Sequence, residues 1–271
     1  NTNLGYSYAL TATVSKSFDN GLFASLSYTN SDSRSVNDGG SIAQSQWRDR
    51  VVSGDPNENV ASYSSYMQAH RINAYGSYRL NYLNEKASTT FGFTYSVAPA
   101  GRFSYTYSGD MNGDGSGGGG NDLIYIPTAS EVQQMDFSGG TTMANTFESF
   151  IQQDKYLSDN RGSYFDRYGA LAPWRGRWDI KMLQDLNFNV GNNKTNTLQL
   201  SLDILNFGNL LNSDWGVVQQ PNNLSPISVD TSGGTPVYTF NGGSDAKTFG
   251  YDSSLASRWQ AQLGLRYIFY K

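Results

Sequence analysis

Alternation of apolar and polar residues with a period of two is the feature that most constrains this chain. It recurs in seven segments, each with aliphatic and aromatic residues at every second position and small polar residues between them. In an extended strand successive side chains point to opposite faces, so the pattern predicts seven β-strands. The predicted strands cover about residues 5–18, 22–33, 70–83, 87–107, 176–190, 196–207 and 255–270.

Short and long connections alternate between these strands. Short turns are predicted at 19–21, 84–86 and 191–194, where Gly, Asn and Asp supply residues that tolerate positive φ. Long polar loops cover about 34–69, 108–175 and 208–254. Consecutive antiparallel strands reverse direction at each connection, so we expect all short turns at one end of the sheet and all long loops at the other.

Aromatic residues gather near the ends of the predicted strands. Two such belts are typical of chains that cross a membrane as strands, because aromatic rings favour the lipid–water interface. The belt at the long-loop end is predicted to hold Tyr6, Tyr28, Tyr95, Trp178 and Trp259. The belt at the short-turn end is predicted to hold Phe18, Tyr82, Phe188, Tyr267 and Phe269.

Composition excludes several classes of protein. The mean hydropathy is −0.52, and no run approaches the roughly 18 apolar residues that a membrane-spanning helix needs, whereas a membrane strand needs only about ten alternating residues. A net charge of −4 without a basic block gives no footprint for nucleic acid, and the absence of cysteine excludes disulfides and thiolate metal sites. The first seven residues lack the features of a signal peptide, so we expect a mature chain or a fragment.

These patterns predict an all-β fold, a transmembrane antiparallel β-barrel with long extracellular loops in the outer membrane of a Gram-negative bacterium. The alternative is a soluble β-sandwich, whose strands average about 5–6 residues, shorter than those predicted here. Seven strands are an odd number, and bacterial barrels have an even number with both termini in the periplasm. We therefore expect about seven C-terminal strands of a larger barrel, with the others upstream or in another polypeptide. The inward faces, rich in Ser, Thr and Asn, favour a wide, wet lumen.

Residues 110–115 carry the strongest candidate for a metal site. Their pattern, D-x-N-x-D-G, places carboxylate and amide oxygens at alternate positions before a glycine, as at the start of a calcium loop. The twelfth position is Asn121 rather than a bidentate Glu, and glycines fill much of the space between. A Ca²⁺ site and a flexible Gly/Asp turn at a loop tip are both compatible with this pattern. The candidate ligands are Asp110, Asn112, Asp114 and Asp122.

An amphipathic helix is predicted between about Met143 and Asp159, because Phe147, Phe150 and Ile151 recur at helical spacing. It would pack within the second long loop. Its Glu148 and Asp154 are six residues apart and fall on different faces of a helix. We interpret them as solvated surface charges rather than as a catalytic pair.

No residue set predicts an enzyme. His70 is the only histidine, so we interpret it as a residue at the rim of the sheet rather than as part of a catalytic triad or a zinc site. The glycine-rich segment 116–120 lacks the Lys-Ser/Thr of a phosphate-binding loop. The loop aromatics pack the loops together or stack on sugars or peptides, and packing is favoured. They are Tyr63, Tyr66, Tyr105, Tyr107, Trp174 and Trp215.

The last predicted strand resembles the C-terminal signal that the barrel-assembly machinery reads, in which a polar residue, a glycine and two aromatics recur at fixed spacing. Residues 262–269 fit this spacing, and Tyr270 and Lys271 follow it, a small departure from barrels that end on the final Phe. The residues that carry the resemblance are Gln262, Gly264, Tyr267 and Phe269.

Three further segments resemble the C-terminal region of TonB-dependent outer-membrane receptors of the Oar-like or SusC-like type in Bacteroidota. They are 110–115 with 121–127, 147–157 with 161–162, and 203–209 with 212–215. The resemblance implies a parent protein with an N-terminal regulatory-like domain, a TonB box, a plug and a barrel of about 22 strands. It also implies outer-membrane lipid, TonB, the assembly machinery and a surface lipoprotein as partners.

The function implied by this resemblance is uptake of a nutrient ligand, for which the chain supplies barrel wall and extracellular loops. The alternative is a surface barrel without transport that acts as an adhesin or as the scaffold of a membrane complex. A plug domain and a TonB box in the upstream sequence would favour import. The sequence gives no indication of the ligand.

Overall fold

The computed structural model describes residues 2–39, 41–115, 120–191 and 194–269 of the chain. Strands account for 46% and helices for 14% of the residues, so the predicted β-rich class is confirmed. In chain order the strands are β1 Tyr6–Ser17, β2 Leu22–Ser35, β3 Ser62–Tyr63, β4 His70–Tyr82, β5 Ala87–Pro99, β6 Arg102–Phe103, β7 Tyr107–Ser108, β8 Tyr125–Ile126, β9 Ser163–Tyr164, β10 Ala170–Leu171, β11 Trp174–Asn189, β12 Thr195–Leu205, β13 Gln219–Pro221, β14 Ile227–Asp230, β15 Val237–Phe240, β16 Phe249–Tyr251 and β17 Gln260–Ile268.

Seven long strands form one antiparallel sheet in the order β1-β2-β4-β5-β11-β12-β17, with β3 paired to β2 at one end. Each long strand therefore pairs with the next long strand along the chain. The sheet is open among the described residues, because β1 and β17 are its outer strands and do not pair with each other.

The register of the sheet keeps most apolar residues of these strands on one face. Directly paired residues share a face, and one row across six strands contains only apolar side chains: Leu22, Tyr78, Phe91, Met182, Leu202 and Leu263. The next row, one residue along each strand, lies on the other face and is mostly polar: Phe23, Ser77, Gly92, Lys181, Asp203 and Gln262. In this second row Lys181 and Asp203 form an ion pair of 2.8 Å.

The apolar face of the sheet is exposed. The exposed fraction is 82% for Leu263, 76% for Val14, 70% for Leu265 and 69% for Leu10. No second sheet covers these side chains within the described part of the chain, where the remaining sheets have two or three short strands. The two packed layers of a β-sandwich are therefore absent from that part.

The short turns lie at one end of the sheet. In the first, the N–H of Gly21 donates to the carbonyl of Phe18 (3.2 Å), and Gly21 has φ +85°. In the second, Leu83, Asn84 and Glu85 all have positive φ although none is glycine. The third predicted turn includes 192–193, which lie outside the described residues.

In the part of the chain that the structure describes, all helices lie in the long connections. They are α1 Ala43–Arg48, α2 Ala129–Val132, α3 Gly140–Gln153, α4 Lys155–Asp159 and α5 Phe207–Leu211, with a 3₁₀ turn at Leu255–Ser257. None of the helices in the described residues has the length and apolar character needed to span a membrane.

The long connections bury their own hydrophobic cluster, which we call the loop core. It includes no residue of the seven long strands. Its buried members are Phe103, Tyr105, Tyr107, Leu123, Ile124, Ile126, Val132, Phe137, Ala144, Phe147, Phe150, Ile151, Leu157, Phe165, Ala170, Ile227, Val229 and Phe240. The chain therefore places its two sets of apolar side chains differently, one buried in the loop core and the other exposed on the sheet.

Two predicted strand limits are wrong. The strand predicted at 87–107 leaves the sheet at Pro99, after which β6 pairs with β10 and β7 pairs in parallel with β14. Proline has no N–H to donate to a ladder, and the alternating residues beyond it belong to other small sheets. The strand predicted from 255 begins at Gln260, because Leu255–Ser257 forms the 3₁₀ turn, capped by the Ser254 hydroxyl. The remaining long strands lie within a few residues of their predicted limits.

We predict that Gly21→Ala lowers the free energy of unfolding by more than Gly234→Ala. Both glycines have positive φ and donate their N–H across a turn, Gly21 to Phe18 and Gly234 to Thr231. A Cβ on Gly21 would lie 2.6 Å from the carbonyl oxygen of Arg79, whereas a Cβ on Gly234 meets no heavy atom within 4 Å. The left-handed backbone alone costs about 1–2 kcal/mol. Denaturant unfolding of both variants measures the difference, and equal losses would contradict the clash at Gly21.

Candidate functional site

The predicted calcium loop folds as a series of tight turns closed by its own side chains. Both carboxylate oxygens of Asp110 accept backbone N–H groups, from Gly113 (2.8 Å) and Gly115 (2.9 Å). The amide oxygen of Asn112 accepts the N–H of Asp114 (3.0 Å), and its amide nitrogen donates to the Asp114 carboxylate (3.1 Å). The segment 116–119, within the glycine-rich region considered as a phosphate-binding loop, lies outside the described residues.

Asp122 is buried, and its side chain contacts this loop. One oxygen of its carboxylate accepts the N–H groups of Met111 (2.7 Å) and Asn112 (3.3 Å), while the other has no hydrogen-bond partner. Burial raises the pKa of the Asp122 carboxyl, the two N–H groups lower it, and the charges of Asp114 and Asp110 raise it. The structure therefore brings the four predicted ligands into one region and leaves a buried anionic oxygen there.

This arrangement is suited to attracting a cation but is not a formed coordination shell. Among the described residues, no group of three His, Cys, Asp or Glu side chains is placed to hold a metal ion. Each oxygen of Asp110 accepts one backbone N–H group, so part of its acceptor capacity is already used. Calcium binding stays a prediction.

The predicted helix at 143–159 is two helices, α3 and α4, which are separated at Asp154. Phe147, Phe150 and Ile151 are buried on the inner face of α3 as the spacing indicated. Asp154 ends α3 and caps α4, because its carboxylate accepts the N–H of Leu157 at 3.0 Å.

The interpretation of Asp154 as a solvated charge is wrong. Its side chain is buried, and its second carboxylate oxygen accepts the hydroxyls of Thr248 (2.7 Å) and Tyr105 (3.3 Å). Burial raises the pKa of the Tyr105 hydroxyl strongly, and the nearby Asp154 charge raises it further. Asp154 thus joins three segments of the loop core. The sequence offers no cue for this role, because the partners lie 49 and 94 residues away.

Glu148 also differs from the prediction, since it forms a two-point ion pair with Arg161 at 2.6 and 3.0 Å. Both side chains are largely buried, at 14% and 20% exposure. Arg161 also donates to the carbonyl of Pro127 at 3.0 Å. These contacts fasten α3 to the segments before α2 and after α4, which is a structural role.

His70 begins β4 at the long-loop end of the sheet, the rim position predicted for it. Its Nδ1 lies 2.8 Å from the Tyr28 hydroxyl, and its ring stacks against Tyr28 and Trp174, with centroids 6.1 and 6.0 Å apart. Among the described residues, no hydrogen bond joins the His70 ring to an acidic side chain. His70 therefore belongs to an aromatic row at the edge of the apolar face.

Most of the loop aromatics pack against neighbours, as the favoured interpretation predicted. Tyr105 and Tyr107 are buried in the loop core. Tyr63 lies between two guanidinium groups, with Arg34 at 3.5 Å and Arg102 at 3.8 Å from its ring centre. Trp174 is 53% exposed, but its ring stacks against His70. Tyr66 and Trp215 are 72% and 51% exposed and make no ring contact among the described residues. These two remain the aromatic candidates for a contact with another molecule.

The four residues of the predicted assembly signal lie in or next to β17. Because of their spacing in the motif, two of them lie on the polar face of the sheet and two on the apolar face. Gln262 and Gly264 pair with Asp203 and Ser201 on the polar face. Tyr267 lies on the apolar face, where its ring contacts Phe269 in a T-shaped arrangement with centroids 4.6 Å apart. Tyr270 and Lys271 lie outside the described residues. Recognition of these residues by the assembly machinery stays a prediction.

The structure also groups residues that the sequence did not single out. Arg50 and Arg167 are 117 positions apart in the chain, yet they line the same two cavities in the loops. Isolated arginines at such a separation carry no motif, so sequence inspection had no signal by which to pair them.

We predict that Asp154→Ala lowers the free energy of unfolding by about 2–4 kcal/mol, because it removes a helix cap and leaves buried hydroxyls unsatisfied. Asp159→Ala, in the same helix pair, serves as the control. Asp159 forms an exposed ion pair with Lys155, so its loss should cost less than about 1 kcal/mol. Chemical denaturation monitored by near-UV circular dichroism measures both, and equal effects would contradict a structural role for the buried carboxylate.

We predict that Asp122→Asn raises the free energy of unfolding at neutral pH in the absence of divalent cations. The amide keeps an acceptor for the N–H groups of Met111 and Asn112 but removes the buried charge. A raised folded-state pKa means that the wild type loses stability as the pH rises from the unfolded value of about 3.9 through the folded value. The advantage of Asp122→Asn should therefore disappear below about pH 4.

Calcium is tested on the same two proteins. If the loop binds Ca²⁺, millimolar Ca²⁺ raises the unfolding temperature of the wild type and not that of Asp122→Asn, because only the wild type offers the unpaired oxygen. An unchanged unfolding temperature of the wild type in Ca²⁺, with Mg²⁺ as the comparison cation, would show that the calcium prediction is wrong.

Comparisons of the chain with protein-family models, with curated proteins and with solved structures found no match. The function of the chain therefore has to be inferred from its own residues and contacts.

Proposed function

We propose that the seven-stranded sheet is part of the wall of an outer-membrane β-barrel, with its apolar face in lipid and its polar face toward an aqueous lumen. The observation that carries the proposal is the apolar face itself, continuous across the strands and exposed in the described chain. Soluble monomers rarely expose contiguous apolar patches above a few hundred Å². Lipid would cover such a face without a second layer of protein.

Strand length supports the same proposal. A strand of about ten residues tilted by about 45° crosses the hydrocarbon core of a bilayer. Six of the seven long strands have 11 to 16 residues, and β17 has nine. The short turns at one end and the long loops at the other match the layout of outer-membrane barrels. The long loops would then lie outside the cell.

The edges of the sheet require further strands under this proposal. The outer edges of β1 and β17 have no partner among the described residues. Unpaired backbone N–H and C=O groups are not tolerated in contact with lipid. We therefore propose that strands from the same protein or from another polypeptide close the barrel.

Within this class we favour import by a TonB-dependent transporter, because three pairs of segments resemble such receptors: 110–115 with 121–127, 147–157 with 161–162, and 203–209 with 212–215. The chain would supply wall and extracellular loops, and a plug and a TonB box would act from other parts of the protein. The loop core gives these outer loops a fixed shape, which suits residues that must present a binding surface.

A surface barrel without transport, acting as an adhesin or as a scaffold for a membrane complex, is the second candidate. The exposed loop side chains of Tyr66 and Trp215 favour it, because exposed aromatics are frequent in contacts between proteins. The two candidate functions are distinguished by identifying the full polypeptide that contains this chain in its native membrane. A plug domain and a TonB box in that polypeptide support import, and their absence supports a scaffold or an adhesin.

We predict that Leu263→Arg destabilises the protein in lipid by about 2–4 kcal/mol, the cost of a charge on the lipid face near the middle of a bilayer. Gln262→Arg is the matched control, because it places the same side chain one residue away on the polar face. The measurement is unfolding in phospholipid vesicles, with the fraction folded read from electrophoretic mobility.

The two arginine variants also distinguish lipid from water around the sheet. Leu263 is 82% exposed and would tolerate Arg as well as Gln262 does if water covered the apolar face. Equal stability of the two variants, or a wild type that is monomeric and fully soluble without detergent, would show that the membrane proposal is wrong.

A further inference from the structure

Two arginines from distant parts of the chain meet beside two cavities in the loops. Arg50 follows α1, and Arg167 lies between β9 and β10. Both line a cavity of about 420 Å³, to which Ser41 and Ser45 also contribute, and a smaller one of about 140 Å³. We call the larger one the Arg50–Arg167 cavity.

Arg50 is held by backbone carbonyl groups. Its Nη1 donates to the carbonyl of Pro56 (2.8 Å), and its Nη2 donates to the carbonyl of Glu58 (3.0 Å). Its Nε–H is buried without an acceptor. A guanidinium group has five N–H donors, so these contacts leave donor capacity unused.

Arg167 has the same kind of environment. It is 7% exposed, and its Nη atoms donate to the carbonyl groups of Val36 (2.8 Å) and Ser35. Its Nε–H is also buried without an acceptor. The carbonyl contacts fix the positions of both guanidinium groups without neutralising either charge.

The two acids that line the cavity, Asp38 and Asp49, equal its two arginines in number, but both carboxylates are engaged by other groups. Within the described residues neither Arg50 nor Arg167 forms an ion pair within 4 Å. Burial lowers the pKa of both groups, and the charge of Arg50 lowers the pKa of Arg167 further. The charge of Asp38 raises the pKa of Arg167. The Asp38 carboxylate is itself engaged by the Ser35 hydroxyl (2.6 Å) and the N–H of Ser65 (3.1 Å). Asp49, the other acid at the wall, is paired with Arg48 at 2.7 Å.

We propose that the Arg50–Arg167 cavity binds a small molecule through an oxyanion, a carboxylate or a phosphate, placed between the two guanidinium groups. The planar, positively charged guanidinium group of arginine matches both carboxylate and phosphate in geometry and charge. A cavity of this volume lies within the range typical of small-molecule sites, so the ligand is a small molecule rather than a folded partner. This inference goes beyond the proposed function, since it holds whether or not lipid surrounds the sheet.

The test is calorimetric titration of the detergent-solubilised protein with succinate and with inorganic phosphate, and with uncharged succinamide as the comparison. Arg50→Gln and Arg167→Gln should each weaken oxyanion binding by at least about tenfold, as expected for the loss of a charged fork. Arg175→Gln is the matched control. Arg175 also donates to backbone carbonyls, those of Gly216 (3.0 Å) and Ala256, but it does not line the cavity.

Ser45→Trp gives a second test that leaves both guanidinium groups in place. Ser45 lines the cavity from α1, so the indole should fill the space and abolish binding even if an arginine variant fails to fold. Preference for succinate identifies a carboxylate ligand, and preference for phosphate identifies a phosphorylated one. The proposal is overturned if neither oxyanion binds saturably, if succinamide binds as well, or if Ser45→Trp or Arg50→Gln binds like the wild type.

Discussion

The antiparallel hydrogen-bond ladder is the interaction on which the rest of this structure depends. Because side chains alternate along a strand, a shift of one residue in any pairing would exchange the two faces of that strand. The register instead aligns Leu22, Tyr78 and Phe91, and continues through Met182 and Leu202 to Leu263. One ordered ladder thus converts seven separate alternating segments into a single apolar surface with a polar surface behind it.

The division of apolar side chains between two environments follows from this ladder. The sheet cannot bury its apolar face against itself, and the long connections fold over their own core instead of covering it. That core is closed by buried polar contacts such as those of Asp154 with Thr248 and Tyr105. The sheet therefore exposes its apolar side chains while the loops bury theirs, which is the physical basis for proposing lipid on one face of the sheet and water on the other.

Sequence periodicity predicted the large sheet well because a period of two is a local property of each strand. It failed beyond Pro99, where Phe103, Tyr105 and Tyr107 continue the alternation but lie in the loop core. A repeating pattern specifies an extended backbone but does not specify the strand with which that backbone pairs. The burial of Asp154 and the meeting of Arg50 with Arg167 depend on contacts between distant segments. The loop at 110–115 was located from its motif, but the unpaired oxygen of Asp122 is visible only once the fold buries it.

The separation of the loop core from the long strands has a consequence for how the chain loses its structure. Two regions that share no buried apolar side chain can open as distinct cooperative units, each with its own free energy. Partial unfolding of the sheet would then break the strand pairing while the packed loops keep their shape. Substitutions within the loop core would likewise leave the apolar packing of the long strands unchanged, so this architecture lets the loops diversify at little cost to the stability of the sheet.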